Sequence, residues 1–384
     1  MIGAKETGSQ MHIRRWQIHL LVLAAYILFA LVLTWPVAAR LDTHVPGNGA
    51  DDPPLTWNLW WVQDALLQQG VNPFDSDYLF YPLGINLAFY TLTVLNGLLS
   101  IPLQAVAGLV PASNLILLSS FALSGYGAFL LSRYVLSKNA GISGKDSPGT
   151  AGSSPAVNLS SLLPSFGAGL LYAFASSKLA YAALGQWNIA SSQWIPFYVL
   201  CLLRMGDHPR RWRYPLLAAL FLLLQAYAEL TYASFLVLFT ALWAGWQIMT
   251  RFRSGELARL VGKLVVIGCI LVVGLLPVLA MMVPEMIVEG DIFVEKGGFA
   301  DAFSADLAGF FVPTLYHPLF GSLVEQFEFD HSVGQHLYLG YSVLALAAVG
   351  VIWAWRRSSA AVSYTHLRAH ETNDLISYAV FCVK

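Results

Sequence analysis

The sequence predicts an all-α polytopic membrane protein. Three observations carry that expectation. Only 11% of the 384 residues are charged and 57% are hydrophobic, with a mean hydropathy of +0.61; a soluble domain carries about 25% charged residues. Apolar runs near the roughly 20 residues needed to cross a bilayer recur along the chain. Between them the basic residues gather in discrete clusters, the pattern that marks one side of a membrane. A net charge of -1 gives no overall field to draw in nucleic acid.

In chain order the runs are Trp16–Ala38, Leu92–Val110, Asn114–Leu136, Phe166–Leu184, Ala190–Leu203, Tyr214–Ala228, Thr231–Ile248, Leu264–Val283 and Leu337–Trp355. The first ends near Val37-Ala38-Ala39 as a signal peptide would. Its apolar core is too long for one, and more spans follow, so an uncleaved anchor is expected. Basic clusters stand at Arg14-Arg15, at Arg133, Lys138 and Lys145, at Arg204, Arg210, Arg211 and Arg213, at Arg251, Arg253, Arg259 and Lys263, and at Arg356-Arg357. Placing all five on the cytoplasmic face predicts a multi-pass protein of the cytoplasmic (inner) membrane with its N-terminus cytoplasmic. The outward loops are then the one after the first run, Gly185–Ile189, the tip Ala228-Glu229-Leu230, and Pro284–Gln335. One interval resists this count, since three runs separate Arg15 from Arg133 where an even number is required. Either Leu92–Val110, which holds Asn96, Pro102 and Gln104, is re-entrant or interfacial, or the Arg133 loop is external. Ser137–Ser161, rich in Gly, Ser, Ala and Pro, reads as a flexible linker; its Asn158-Leu159-Ser160 sequon is a weak signal.

Val362–Lys384 breaks in composition from what precedes it. Val362–Thr372 resembles translated sequencing-adapter DNA, Ile376–Cys382 resembles the flow-cell sequence that follows such an adapter, and Asn373-Asp374-Leu375 falls where a sample barcode lies. The expected organisation is therefore a transmembrane domain over 1–361, cut short at its C-terminus, and a non-native tail over 362–384. His366, His370 and Glu371 are set aside as site candidates on that ground. Cys201 and Cys269 sit in apolar runs and Cys382 in the tail, with no CxxC or Cys/His cluster, so zinc and disulfide readings have no support.

The loop from Arg40 to Phe89 is the most informative stretch. It carries Asp42, Asp51, Asp52, Asp64, Asp75 and Asp77 against one basic residue, Arg40, together with Trp57, Trp60, Trp61, Phe74, Tyr78, Phe80 and Tyr81. A connector this long is seldom only a connector. Adjacent carboxylates repel, which suits Asp51 or Asp52 to proton abstraction; the pair equally suits a divalent cation, Mg or Mn, through hard oxygen ligands. Pro53-Pro54 then opens a helix expected over Leu55–Gln68, with Trp57, Trp60 or Trp61, and Asp64 on one face, able to lie on the membrane and to offer Trp60 to a substrate. A solvated loop with an interfacial tryptophan belt explains the same residues structurally.

Elsewhere, Glu229 stands between two apolar runs with no basic neighbour, which makes it a functional candidate or a hairpin tip in water. Lys178, inside the fourth run, can bind a lipid phosphate or snorkel to the interface. Gln186-Trp187-Asn188 can hydrogen-bond sugar hydroxyls or act as an interfacial anchor. Asp306 and His317 are the candidates of the last outer loop. Glu325, Glu328, Asp330, His331 and His336 follow without metal spacing, and no GxGxxG, Walker A or GxSxG motif stands in a credible context.

A first span, a long outer loop with an early acidic pair, an aromatic helix, the turn Tyr81-Pro82-Leu83-Gly84 and many further spans together resemble the GT-C superfamily of integral-membrane glycosyltransferases, in particular its YfhO-like bacterial members. The resemblance covers most of Trp16–Trp355 and rests on architecture more than on any string. It implies a GT-C-like helix bundle with short interfacial helices in the first outer loop. It also implies a polyprenyl-phosphate sugar donor and transfer to a glycan, lipid or protein acceptor on the extracytoplasmic face. Asp51 or Asp52 corresponds to the family's first-loop acidic residue, as general base or metal ligand, although Asp-Asp-Pro-Pro stands here where several branches carry Asp-Glu. The leaving phosphate would be stabilised by Lys178 or His317. The rival readings are a transporter or flippase coupled through Glu229 and Lys178, which the lack of a visible internal repeat disfavours, and a noncatalytic membrane assembly protein.

Overall fold

The structure is a computed structural model that describes residues 14–139, 159–251, 256–289, 307–313, 317, 319–326, 338–353 and 355–356. The chain divides into two units, Met1–Gly297 and Gly298–Lys384. The expected tail, 362–384, lies outside the described residues, as does Asp306.

The first unit is helical. Its helices are α1 (Arg15–Leu33), α2 (Asp52–Gln63), α3 (Val94–Ala107), α4 (Leu109–Asn139), α5 (Leu159–Ala173), α6 (Ser176–Ala183), α7 (Trp187–Ala190), α8 (Trp194–Asp207), α9 (Arg213–Ala228), α10 (Leu230–Arg251), α11 (Leu257–Gly274) and α12 (Leu276–Glu289). Four stretches among the described residues are long and apolar enough to cross a membrane: Trp16–Leu33, Leu109–Lys138, Leu230–Thr250 and Leu257–Gly274. The chain is a membrane protein on that ground.

Several expected runs end differently. Phe166–Leu184 is not one span: the helix stops at Ala173 and restarts at Ser176 as α6, the helix that bears Lys178. Leu264–Val283 likewise breaks after Gly274, where Leu275 and Pro277 start a new helix. Helix α3 is 14 residues long, or about 21 Å at 1.5 Å per residue, short of a core about 30 Å thick, as are α8 with 14 residues and α9 with 16. Helix α2 does not lie on a surface with its tryptophans outward. Leu55, Asn58, Leu59, Trp61 and Val62 are buried, and Trp57 stacks on Trp61 with centroids 5.6 Å apart. It ends in a wide turn, Asp64–Gln69, closed by Gly70 at φ 66°.

Several packed regions hold the bundle, and two set its frame. Tyr26 of α1 is fully buried beside Phe129 of α4 and Phe166 of α5, and its hydroxyl donates to the Phe166 carbonyl at 2.9 Å. Gly125 makes room for it, since a Cβ there would fall 2.6 Å from the ring. Helices α8 to α11 share a second core of Tyr198, Leu202, Met205, Leu222, Trp243 and Ile267. The ends of these helices sort by charge. Lys138 of α4 pairs with Asp207 of α8 at 2.7 Å, Tyr134 donates to Asp207 at 2.5 Å, and Lys263 of α11 donates to the His208 carbonyl at 3.2 Å. Three of the basic clusters thus share one end of the bundle.

In the second unit, an apolar helix runs over Tyr341–Trp353, and a short helix, Gly321–Val324, follows the His317 turn.

Candidate functional site

The end of the bundle away from Lys138 and Asp207 is organised by the segment 186–193. Gly185 starts it with φ 80°, in space where a Cβ would meet the Cβ of Asp52 and stand 2.9 Å from the Pro46 carbonyl. Only glycine meets both demands. The short helix α7 and the turn after it then present polar groups in every direction. Gln186 Nε2 donates to Asp51 Oδ2 at 2.5 Å. Asn188 Nδ2 donates to Glu229 Oε2 at 2.8 Å. The Ile189 carbonyl accepts from Tyr232 at 2.9 Å. Ser191 accepts from Asn96 Nδ2 on its hydroxyl and from Gln225 Nε2 on its carbonyl, both at 2.9 Å. Ser192 accepts from Tyr172 on its carbonyl at 2.9 Å and from Lys178 on its hydroxyl at 3.4 Å.

Each amide in this network has a fixed orientation. Carboxylates and carbonyls only accept, so Gln186, Asn188 and Gln225 must turn their nitrogens toward them. Ser191 gives its own hydroxyl proton to the Trp187 carbonyl at 2.8 Å, so Asn96 must donate to it as well. The oxygens left over are Asn96 Oδ1, Asn188 Oδ1 and Gln225 Oε1, and with Gln193 Oε1 and Thr93 Oγ1 they are buried without a protein partner. Buried polar groups are normally paired, so this is a concentration of unused acceptors at one end of the molecule.

The two aspartates of the expected pair separate. Asp51, just ahead of α2, faces Gln186. Asp52, in the first turn, accepts from the Gly49 backbone N–H at 2.7 Å and packs on Gly185; a carboxylate there also suits the positive end of the helix. Its role is to close the 47–52 turn. Tyr90 stands near Asp51: burial, and then the field of the Asp51 carboxylate, raise its phenol above the ordinary range. Tyr90 and Glu229 both line a cavity of about 290 Å³ between 87–94, 226–231 and α12, with Thr93, Tyr227 and Met282 also in its wall. No Lys, Arg or His lines it.

Lys178 is buried. Its ammonium donates to Ser124 Oγ at 2.6 Å and the Ser120 carbonyl at 3.2 Å and sits 4.9 Å from the centroid of the Phe121 ring. It is turned into the bundle, not out to a headgroup, and is not among the residues of the Glu229 cavity. Trp60 joins an aromatic cluster with Trp57, Trp61 and Tyr78, 5.7 Å from the last. His317 belongs to the second unit, where Nδ1 accepts from the backbone N–H groups of Leu319 and Phe320 at 3.2 and 3.3 Å. Among the described residues no three His, Cys, Asp or Glu side chains form a metal-holding group.

The structure thus brings Asp51, Gln186 and Glu229 of the sequence candidates into one polar network, with Lys178 at its inner edge. Reading the sequence missed Tyr90, Thr93, Ser191, Ser192 and Gln225. The signal for the hub was present: Gln186, Asn188, Ser191, Ser192 and Gln193 stand within eight residues of a largely apolar stretch. No protein-family model, curated protein or solved structure matches the chain.

Proposed function

We propose that the chain is a membrane glycosyltransferase of the cytoplasmic membrane. It moves a sugar from a polyprenyl-phosphate donor to a glycan, lipid or protein acceptor on the extracytoplasmic face. The observation that carries this reading is that Asp51 and Glu229, 178 positions apart in the chain, are each held by an amide of the turn Gln186-Trp187-Asn188. Glu229 is also part of the wall of a cavity of about 290 Å³, near the lower limit for small-molecule pockets and suited to one sugar ring. Thr93, whose hydroxyl is buried without a protein partner, is part of the same wall.

In the reaction, an acceptor oxygen bonds to the anomeric carbon as the bond from that carbon to the phosphate oxygen breaks. Asp51 takes the acceptor proton. Gln186 holds one carboxylate oxygen and leaves the other to receive that proton, which is the positioning a general base needs. Glu229, fixed by Asn188, holds sugar hydroxyls. The polyprenyl phosphate departs as the anion.

A divalent cation, Mg or Mn, is a weaker fit. Asp51 faces an amide N–H and Asp52 a backbone N–H, so both would have to turn to share one ion, and no step is routed through it. Helix α3 stays beside the first loop, its Gln104 donating to the Leu59 carbonyl of α2 at 2.9 Å, which supports the proposed topology. With only α1 and α4 crossing between Arg15 and Arg133, both basic clusters fall on one side and the N-terminus is cytoplasmic.

One observation favours a transporter as the second reading: Lys178 is buried beside the same network and donates to serines alone among the acceptors described for it. Intramembrane ionisable groups commonly mark ion pathways. Reconstituted protein offered lipid-linked sugars separates the two readings. Product formation supports the transferase, and flux of the lipid-linked sugar without product replaces it with the transporter.

A further inference from the structure

The strands β1 (Asp75–Ser76) and β2 (Ile85–Asn86) pair antiparallel, Asp75 opposite Asn86 and Ser76 opposite Ile85. Their connection, 77–84, is a fixed finger. Leu83 N–H donates to the Phe80 carbonyl at 2.8 Å. Gly84 turns at φ 71°, where a Cβ would crowd the Ser76 carbonyl at 3.2 Å. Phe80 itself holds φ 59°, a conformation that disfavours a bulky side chain.

That strained tip is apolar and open. Phe80 is 70% exposed, Tyr81 80% and Leu83 90%. From Tyr78 onward the chain has no charged residue until Arg133. Isolated exposed apolar residues need no explanation, but a contiguous set on one rigid turn does.

The finger is tied to an apolar helix. Asn86 Nδ2 donates to the Met281 carbonyl of α12 at 3.0 Å and to Glu285, and Asn72 Nδ2 contacts Met281 Sδ at 3.4 Å. Just beyond Glu285, Ile287 is 76% and Val288 84% exposed. Leu83 of the finger and Ala280, Met281, Pro284 and Glu285 of α12 line one open cleft, so the finger and the apolar helix share a surface.

We infer that the 78–84 finger is a membrane-dipping anchor. It inserts Phe80, Tyr81 and Leu83 into the interfacial zone of the bilayer beside α12 and fixes the height of the 34–93 segment over the lipid. Tyrosine belongs at that depth, with its ring in the acyl boundary and its hydroxyl among headgroups. The occupant is lipid because the tip, 78–84, carries no charge and Leu83 shares a cleft with Met281 and Pro284 of the apolar helix α12, while Asp75, Asp77 and Glu285 stand at its base, on the headgroup side.

The test uses the full chain with Cys201, Cys269 and Cys382 replaced by alanine, and a single cysteine at Tyr81→Cys or Leu83→Cys carrying an environment-sensitive fluorophore. The protein is reconstituted in phosphatidylcholine vesicles containing lipids nitroxide-labelled at shallow acyl positions. Both labels are expected to be quenched several-fold more by the nitroxide lipid than a label at Asp42→Cys, and several-fold less by aqueous iodide. Strong iodide quenching at both positions overturns the inference. Protection from both quenchers overturns it too, in favour of burial against a protein surface.

Discussion

At one end of the Met1–Gly297 unit, Lys138 meets Asp207 at 2.7 Å with its side chain half in solvent. At the other, Lys178 is enclosed among Ser120, Ser124 and Ser192. The two lysines have the same chemistry and opposite surroundings. The first end satisfies its charges locally: Arg204 lies 5.1 Å from the Tyr134 ring and Arg213 4.8 Å from the Tyr214 ring, and Lys263, though buried, donates to the His208 carbonyl. The second end collects Asp51, Glu229, Asn96, Gln225 and Lys178 on one eight-residue segment and still leaves several acceptors unpaired. An exposed pair such as Lys138–Asp207 stabilises little and commits to no ligand. Pairing that is buried and incomplete is unfavourable unless a ligand or a mechanism uses it. The contrast is why the functional reading rests on the second end.

The largest test of that contrast is Asp51→Asn against Asp52→Asn. Under the proposed mechanism the first loses the base and lowers transfer by about 10²–10⁴-fold without unfolding the protein. The second removes an acceptor for the Gly49 N–H; it is expected to lower thermal stability measurably and transfer by far less. A transfer assay with a matched lipid-linked sugar, run with thermal unfolding on both variants, reads the difference. Equal losses would return the aspartates to a shared role. Full activity in both, and in the double variant, would remove the carboxylates from the mechanism.

Next in size is Lys178→Met. Lys178→Met removes a buried charge but leaves Ser124 and Ser192 without its hydrogen bonds; the two effects oppose, so the melting temperature is expected to change little. Transfer, or flux if the transporter reading is right, is expected to fall at least about tenfold, the equivalent of 1.4 kcal/mol, because Ser192 and its neighbours lose their fixed donor. A stable variant with unchanged activity would make Lys178 a structural residue only.

These residues differ in how far they could be read beforehand. The long helices were legible because composition alone decides which segments prefer lipid: α1, α4 and α10 follow their apolar runs closely. The breaks at 174–175 and at Leu275 were not, since hydropathy averages over them; Pro277 was the local signal for the second. Asp51 and Glu229 were legible as charges in unexpected places. Their connection through Gln186 and Asn188 was not, because a contact between positions 135 apart is set by packing that leaves no trace in local pattern. That Asp51 and Asp52 take different partners was not legible either, because adjacency in sequence does not show that successive side chains at the start of a helix point in different directions.

A smaller effect is expected at Gln225. It is fully buried and the one bond described for its side chain reaches the Ser191 carbonyl. Gln225→Ala leaves that carbonyl unpaired and is expected to destabilise by about 1 kcal/mol, since polar contacts in membrane proteins average about 0.6 and reach about 1.7 kcal/mol. The loss should be accompanied by a rise in KM for the lipid-linked sugar, because Gln225 adjoins the cavity wall through Ala226. Destabilisation with unchanged KM would limit the functional site to Asp51 and Glu229.

Lys138→Ala closes the comparison from the other end. The pair with Asp207 is short, yet an exposed ion pair contributes only about 0–1 kcal/mol after solvent screening and side-chain entropy, and salt weakens it further. The expected outcome is a stability change under about 1 kcal/mol that shrinks as ionic strength rises, with transfer unchanged. Tyr134 keeps its hydrogen bond to Asp207 in the variant, so the carboxylate retains a partner and the helix ends stay joined. A large loss of activity from Lys138→Ala would mean that the basic end communicates with the Gln186–Gln193 segment along α4 and α8, the two helices that carry Lys138 and Asp207 and run toward Ser124 and Gln193. The division of the bundle into a structural end and a functional end would then be wrong.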